Sequence, residues 1–403
     1  MKPFLHLPTL SGSKAMIYFA ELFMTGGQHA AFNGAMLQVL ARAFPREKIS
    51  LFAAQSHYEE LIAKESDLTG VLYHPVHIIS NKSGNPGRWL LKFFNELIQI
   101  IRVLIRGRKK SIHLIYFSFL SPLGQWLVSK YARYMAYKGQ KILITLHGLD
   151  ILHPAGSQKR VDRIYAKLLK KAFACAAKNK RYIVLEERVA DYLVKNRHLQ
   201  PAEIVQIAHP YQFQASISPR IDKPVIFAHL GIARLAKNSH LFFDLASRFA
   251  TEISRGDIVF QVVGPVLPEL KPYLNPWVQY VNHEVFLSQV DYQRHCERAH
   301  YAVFFYDESN YALTSSGAVM DAIAYRLPIL ALTGPVFDSL QSITPAFPGK
   351  LYPDVELMYQ GICEIIKNHG AIHRHFDVAF VDLQLHYSIE HVAEQLMKQV
   401  PIR

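Results

Sequence analysis

DESNYALTSSGAVMDAIAYRLPILAL, residues Asp307–Leu332, is the most informative stretch of this 403-residue chain. The apolar run Ala302–Tyr306 leads into it and the apolar run Ile329–Leu332 closes it. Short apolar runs on either side of a helical pattern read as buried parallel strands joined by a crossover helix. Thr314, Ser315 and Ser316 stand where the helix N-cap belongs, Gly317 opens the helix, and Pro328 starts the next strand. Small residues there leave the first-turn N–H groups open, and with the helix dipole they form an anion site. Gly317 permits close approach of a phosphate. Asp321, one turn later on the same face, is placed to accept hydrogen bonds from ribose hydroxyls. A capped helix with no ligand has the same local pattern.

The alternation continues in both directions. Expected strands of the first half are Ala15–Ala20, Ile49–Ala53, Val76–Ile79, Ile112–Phe117, Ile142–Leu146 and Tyr182–Leu185, with a short one at Ile204–Ile207. Helices such as Gln28–Phe44 and Leu123–Tyr137 lie between them. Pro210, Ser216, Ser218 and Pro219 make His209–Lys223 an interdomain linker. The second half runs Val225–Leu230, Ile258–Val263, Val278–Val281, Ala302–Tyr306 and Ile329–Leu332. Its helices fit Ser239–Ala250, Ser288–Ala299, Gly317–Tyr325, Val355–Asn368 and Ser388–Val400. The pattern is α/β: two Rossmann-like doubly wound domains, 1–210 and 221–385, facing a cleft at the carboxyl ends of their strands. A C-terminal helix within 386–403 is expected to pack back near the first domain. Architecture alone names no function.

Composition narrows the classes. Half the residues are hydrophobic and 19% are charged, which excludes a largely disordered chain. Cys175, Cys296 and Cys363 are far apart, which argues against a disulfide framework or a cysteine-built zinc site and fits a reducing compartment. The pair His373 and His375 lacks further ligands at zinc spacing, so no metal is expected. Lys14 interrupts any signal-peptide core, and no apolar run reaches the roughly 18–20 residues of a membrane span.

The formal charge of +13 divides unevenly, +18 over residues 1–220 and −5 over 221–403. It concentrates in GRWLLKFFNELIQIIRVLIRGRKK, from Gly87, and in Lys159–Arg181. In the first segment Trp89, Leu90, Phe93, Phe94, Leu97, Ile100, Ile101, Leu104 and Ile105 recur at helical steps. That face suits a lipid interface while Arg102, Arg106, Arg108, Lys109 and Lys110 meet an anionic membrane surface. A helix packed on the domain core with a solvated basic end is the other reading. No zinc-finger, RNP or helix-turn-helix signature accompanies the charge, so nucleic acid is not an expected partner. The chain is expected to be cytoplasmic and peripherally attached to the inner face of the plasma membrane.

A second stretch bears on the helix at Gly317. His229–Asn238, HLGIARLAKN, follows the first strand of the second half and places Arg234 and Lys237 on a loop at the carboxyl end of the sheet. Two cations there can neutralise a diphosphate, and Arg offers forked geometry.

With these two stretches the chain resembles the GT-B glycosyltransferases, in particular the family four-like group of bacterial polysaccharide and lipopolysaccharide biosynthesis. That group carries Gly-x-Ile-Arg-x-x-Lys-Gly/Asn after the first strand of its C-terminal domain; Arg234 and Lys237 match its basic pair. Ser316-Gly317, the helix, and Arg326-Leu327-Pro328-Ile329 match its Ser-Gly, helix and Gly-x-Pro-Val order. Gly26-Gly27 matches its glycine-rich loop, Thr145-Leu146-His147-Gly148 its Thr-x-His-Asp/Gly, and His209-Pro210-Tyr211 its lead into the linker. The resemblance implies a UDP- or GDP-linked sugar donor held by the second domain, with Arg234, Lys237, Ser315, Ser316 and Gly317 on the diphosphate. It implies an acceptor on the first domain, and with the basic half, a lipid-linked glycan. Where many relatives have two glutamates seven residues apart, this chain has Leu313 and Asp321.

The implied chemistry is sugar transfer without a cofactor. No Asp-x-Asp motif calls for a divalent ion. His147 is the first candidate for a base, or for a hydrogen bond to the donor sugar; Asp150 could orient the imidazole or be the base itself. His29 ranks lower, and Glu308 could bind sugar hydroxyls. A nucleotide-sugar epimerase shares the cleft, but the +18 half weighs against it. A catalytically silent polysaccharide- or lipid-binding protein is the reading from another class.

Overall fold

The computed structural model of the chain describes residues 16–64, 70–79, 86–109, 111–135, 139–156, 159–213, 223–280, 287–372 and 376–401. Lys110, His373, His375, residues 214–222 of the expected linker, and the ends of the expected elements at Ala15, Tyr137 and Val281 lie outside the described residues.

Seven strands form the first sheet: β1 (Met16–Glu21), β2 (Lys48–Ala53), β3 (Leu72–Pro75), β4 (Ile112–Phe119), β5 (Lys141–Thr145), β6 (Lys180–Val184) and β7 (Ile204–Gln206). They lie in the order β3-β2-β1-β4-β5-β6-β7 with every pairing parallel. Helices α1 (Ala30–Ala43), α2 (Gln55–Lys64), α3 (Pro86–Arg106), α4 (Pro122–Met135), α5 (Arg160–Phe173) and α6 (Glu187–Lys195) connect them.

The second sheet has β8 (Val225–Leu230), β9 (Ile258–Val263), β10 (Val278–Tyr280), β11 (Tyr301–Phe304), β12 (Ile329–Leu332) and β13 (Gly349–Tyr352), in the order β10-β9-β8-β11-β12-β13, again parallel throughout. Its helices are α7 (His240–Ser247), α8 (Ala250–Ser254), α9 (Gln289–Arg298), α10 (Glu308–Tyr311), α11 (Gly317–Ala324), α12 (Pro335–Ile343), α13 (Val355–Ile372), α14 (Asp377–His386) and α15 (Ile389–Gln399).

Both sheets reverse their winding at the same place, between β1 and β4 and between β8 and β11. The carboxyl ends of those strands therefore border crevices where ligands can sit. The central strands are unbroken apolar runs because helices cover both faces; all six residues of β8 are buried.

The edges depart from expectation. The strand expected at Val76–Ile79 lies earlier, at β3, where half-exposed Leu72–Pro75 pairs with β2. β13, α12 and α14 had no counterpart in the sequence reading. The helix expected at Ser239–Ala250 is divided into α7 and α8, and α13 loses helical geometry at Asn368.

One buried apolar cluster joins the two halves. It runs from α1 through Ile226, Ala228 and Leu230 to Val319 and Ile323 of α11, then to Val392 and Leu396 of α15. α15 packs on α1, and Arg42 pairs with Glu390 at 2.9 Å. The Ala208 N–H donates to Gln395 Oε1 at 2.7 Å. The last helix thus ties the second half back onto the first domain.

Candidate functional site

The carboxyl end of β8 turns at Gly231, whose φ of 73° is left-handed. A side chain there would also meet Lys237 Nζ, 3.5 Å from a Cβ position, and Ala318 Cβ at 3.8 Å. The lysine ammonium therefore lies at the amino end of α11. Asn238, also left-handed, pins the loop by donating to Phe305 O at 3.0 Å and to Asp307 Oδ2 at 2.7 Å. Ser239 Oγ accepts from the Arg234 N–H at 2.9 Å.

Arg234 is half-buried beside Tyr306 and Tyr311, which stack at 3.8 Å. The Tyr306 hydroxyl meets Ser316 Oγ at 2.9 Å, so the tyrosine pair links Arg234 to the helix cap. Arg234 Nε is buried with no partner, and neither Arg234 nor Lys237 forms an ion pair among the described residues. Burial, then the neighbouring Arg234, lowers the Lys237 pKa to about 7, with Asp321 opposing.

Ser316 caps α11, its Oγ accepting from the Val319 N–H. The N–H groups of Gly317 and Ala318 meet no acceptor among the described residues. Gly317 is exposed, and a Cβ there would touch nothing within 4 Å among them. Two cations, an open helix terminus and space beside it together suit a bound anion.

The Asp321 carboxylate is held by two phenols. Its Oδ1 accepts from Tyr211 Oη at 2.6 Å and its Oδ2 from Tyr292 Oη at 2.7 Å. One turn along a helix fixes the face but not the neighbours: Tyr211 enters from the segment leaving the first domain, so the carboxylate serves as a joint. Burial and Asp321 push both phenols well above their ordinary range.

On the first domain, Gly26 turns after β1 with a φ of 59°. Its carbonyl accepts from His57 Nδ1 at 2.8 Å, and its N–H donates to Ser56 Oγ at 3.2 Å. Gly27 lies 3.8 Å from the Glu60 carboxylate, measured from a Cβ position. His57 Nε2 meets the Asn33 amide at 2.9 Å; that amide also donates to buried Glu21 at 3.2 Å, and Ser118 Oγ donates to Asn33 Oδ1. Ser118 O in turn accepts from His147 Nε2 at 3.1 Å.

This chain of bonds gives His147 a defined tautomer, with Nε2 protonated and Nδ1 bearing the lone pair. Burial, reinforced by His29 and His209, holds its pKa well below the ordinary value. The His29 and His147 rings lie 4.9 Å apart, and burial lowers the His29 pKa as well. His209, lowered to about 4 by burial, faces Ser315 and Ser316 across a small cavity. Three neutral imidazoles therefore line the first-domain side of the crevice.

Asp150 does not face His147. Its Oδ1 accepts from the Leu313 N–H at 2.7 Å, and its Oδ2 accepts from the Thr314 hydroxyl. Arg188 donates to Tyr311 O at 3.1 Å, to Ala312 O and to Thr314 O at 3.0 Å. Together they hold segment 311–314 against the first domain, and Leu313 packs into that domain's core. Asp150 thus fixes the segment that leads to Ser315. Burial raises its pKa, with Thr314, Leu313 and Arg188 opposing. Glu308 lies 3.6 Å from His153, near the same junction.

Arg188, Asn33, His57, Ser118 and Tyr306 also belong to this region, and the sequence pattern does not single them out as a group. Arg188 had a visible signal: a cation just beyond an apolar strand end at the crevice. The buried set had none, because a polar residue within an apolar pattern does not reveal its partner.

α3 presents an unusual section. Lys92, Glu96 and Gln99 face inward, whereas Leu90, Leu91, Phe94, Ile98, Ile101 and Ile105 are exposed, Leu90 and Phe94 at 62%. Arg102, Arg106, Arg108 and Lys109 are exposed at its end. No helix among the described residues is long and apolar enough to cross a membrane.

No family model matches the chain, and no curated protein does. Solved structures do. HepE from Anabaena, determined with UDP-glucose, is 12% identical with a TM-score of 0.63, covering 95% of this chain and 98% of its own. Sucrose-phosphate synthase from Thermosynechococcus elongatus is 14% identical at 0.67, with the same coverage of 95% and 98%. WaaG, a glycosyltransferase involved in lipopolysaccharide biosynthesis, is 12% identical at 0.61, covering 96% of this chain and 100% of its own. The shared architecture is the two-domain GT-B fold.

Proposed function

We propose that this chain is a glycosyltransferase that moves a sugar from a nucleoside-diphosphate sugar to a hydroxyl of a lipid-linked acceptor at an anionic membrane surface, in cell-surface glycan synthesis. The observation that carries the reading is the pair of cations, Arg234 and Lys237, without ion-pair partners among the described residues, set beside the open amino end of α11. The fold supports it, since HepE and WaaG share it.

In this reading the diphosphate lies against Gly317 and Ala318 N–H, Arg234 and Lys237. The acceptor oxygen attacks the anomeric carbon and forms the new C–O bond. The bond from that carbon to the diphosphate oxygen breaks, and the diphosphate leaves with the electron pair. Fixed donors aimed at that developing charge usually supply the largest catalytic term. The hydroxyl proton passes to His147 Nδ1, the free lone pair on the acceptor side. The cations take the leaving charge, so the reading needs neither a metal nor a cofactor. The stripe on α3 and its basic end support attachment to the inner face of the plasma membrane.

Calorimetric titration with UDP, GDP and their sugars tests this. The expected result is binding to at least one, lost in Arg234→Ala and Lys237→Ala with the fold intact. Absence of nucleotide binding to the wild-type chain would overturn it.

A further inference from the structure

A cavity of about 900 Å³ lies between α3, α5, the ends of β4 and β5, and segment 313–315. That is near the upper end of the roughly 300–1,000 Å³ of small-molecule sites. Its two ends differ in chemistry. One is polar and catalytic in the proposed reading: His147, Thr314 and Ser315. The other lies between Leu90 of α3 and Val161 of α5, which are 62% and 55% exposed. The walls are mostly apolar, with Phe93, Leu169, Val189 and Leu313 among them and Ser121 and Gln125 as polar members.

The route is short. Ring centroids run from His147 to Phe119 at 6.1 Å, then to Phe23 at 5.2 Å, then to Phe93 at 5.8 Å. Three ring-to-ring steps join the imidazole to the wall contributed by α3. Leu90 also begins the exposed stripe that continues through Phe94, Ile98, Ile101 and Ile105. Exposed Arg160, Arg163, Lys167, Lys170 and Lys171 on α5 and the basic end of α3 give this face a positive rim. A carbohydrate would leave its hydroxyls unpaired against such walls, which costs free energy. A hydrocarbon chain gains by burial there.

We propose that this cavity takes the hydrocarbon chain of the acceptor. The chain enters from an anionic bilayer between Leu90 and Val161, and the accepting hydroxyl, on the first polar unit after the chain, reaches His147 beside Ser315. The acceptor class is thus an amphiphile with a short headgroup rather than a long glycan far from its lipid. This rests on the sugar-transfer reading for the role of the polar end; the bond changes are those given above, with the proton going to His147 Nδ1.

The test uses the full chain and dansylundecanoic acid, with fluorescence blue shift as the readout and UDP calorimetry run in parallel. Wild type is expected to bind the probe saturably. Ile151→Trp, which fills the cavity from a half-buried wall position, and Leu90→Asp at the exposed mouth are each expected to weaken binding at least tenfold. Ile105→Asp, on the same stripe but away from the cavity, is expected to leave it unchanged. UDP binding is expected to be the same in all four, which also reports that they fold. UDP binding with no probe binding, or with equal probe binding in Leu90→Asp, overturns the proposal. Probe binding by a chain that takes no nucleotide instead overturns the transfer reading and leaves the chain site standing.

Discussion

α4 and α11 occupy corresponding places in the two domains, α4 directly after β4 and α11 after β11 and the short α10, yet their amino ends meet different groups. At α4 a buried carboxyl group of the chain itself fills the end. Glu96 Oε1 accepts from the Ser121 N–H at 2.8 Å, and Oε2 from the Ser121 hydroxyl, just before Pro122 opens the helix. Gly124 lies so close that a Cβ would fall 2.8 Å from Glu96 Oε1. At α11 the corresponding space is open, and buried Lys237 and half-buried Arg234 stand beside it. The same helix dipole is closed structurally in one domain and left for a ligand in the other. A helix terminus on a doubly wound sheet is therefore not a site in itself; what fills it decides.

Arg234→Ala should break the open end most severely. Losing a preformed donor to a developing charge typically costs about 10²–10³ in kcat, so turnover should fall by that factor while the melting temperature barely moves. Steady-state kinetics with circular dichroism would show it; unchanged kcat would remove Arg234 from the site.

Glu96→Gln should act on the closed end. Burial raises the Glu96 pKa from 4.5 to about 7 against the Ser121 hydrogen bonds. The folded chain therefore retains a proton that the unfolded chain releases. The stability from this group is full below pH 4.5 and is lost as pH rises through about 7. The shift corresponds to roughly 3 kcal/mol. The wild type should lose up to that amount relative to Glu96→Gln between pH 4.5 and 8 in denaturant titrations. Parallel pH profiles would contradict it.

The two glycines should sort oppositely. Gly124→Ala forces a methyl against Glu96 and Ile100 and should cost about 1–3 kcal/mol of stability. Gly317→Ala should leave stability unchanged and weaken nucleotide binding, because its methyl enters the space assigned to the phosphate.

The smallest effect is one of pH. Lys237, at about 7 in the free chain, should regain its proton beside a diphosphate. Binding then takes up a proton, and affinity should fall about tenfold per pH unit above 7. Titrations in buffers of different ionisation heat read that uptake directly; no buffer dependence at pH 8 would contradict it.

Legibility in the sequence followed burial. β8, β9 and β12 fall on the residues their apolar runs indicate, because an interior strand covered on both faces admits little else. β3 and β13 are edge strands, half-exposed and mixed in polarity, and their pairing depends on neighbours distant in sequence. The loop bearing Arg234 and Lys237 and the cap at Ser316 were readable because glycine and small residues mark such turns locally. For Asp321 and Asp150 the local pattern indicated the element but not the neighbours found there. The tyrosines at 211 and 292, and the segment around Leu313, reach them across the fold. Glu96 shows the same limit, since nothing in the amphipathic pattern of α3 revealed that its carboxylate turns inward to cap α4.

A crystal structure of the chain with bound UDP tests the central contrast most directly. Diphosphate oxygens are expected within hydrogen-bonding reach of Gly317 or Ala318 N–H and of Arg234, with Glu96 still holding Ser121. A diphosphate bound elsewhere, with Arg234 turned to solvent, would contradict it.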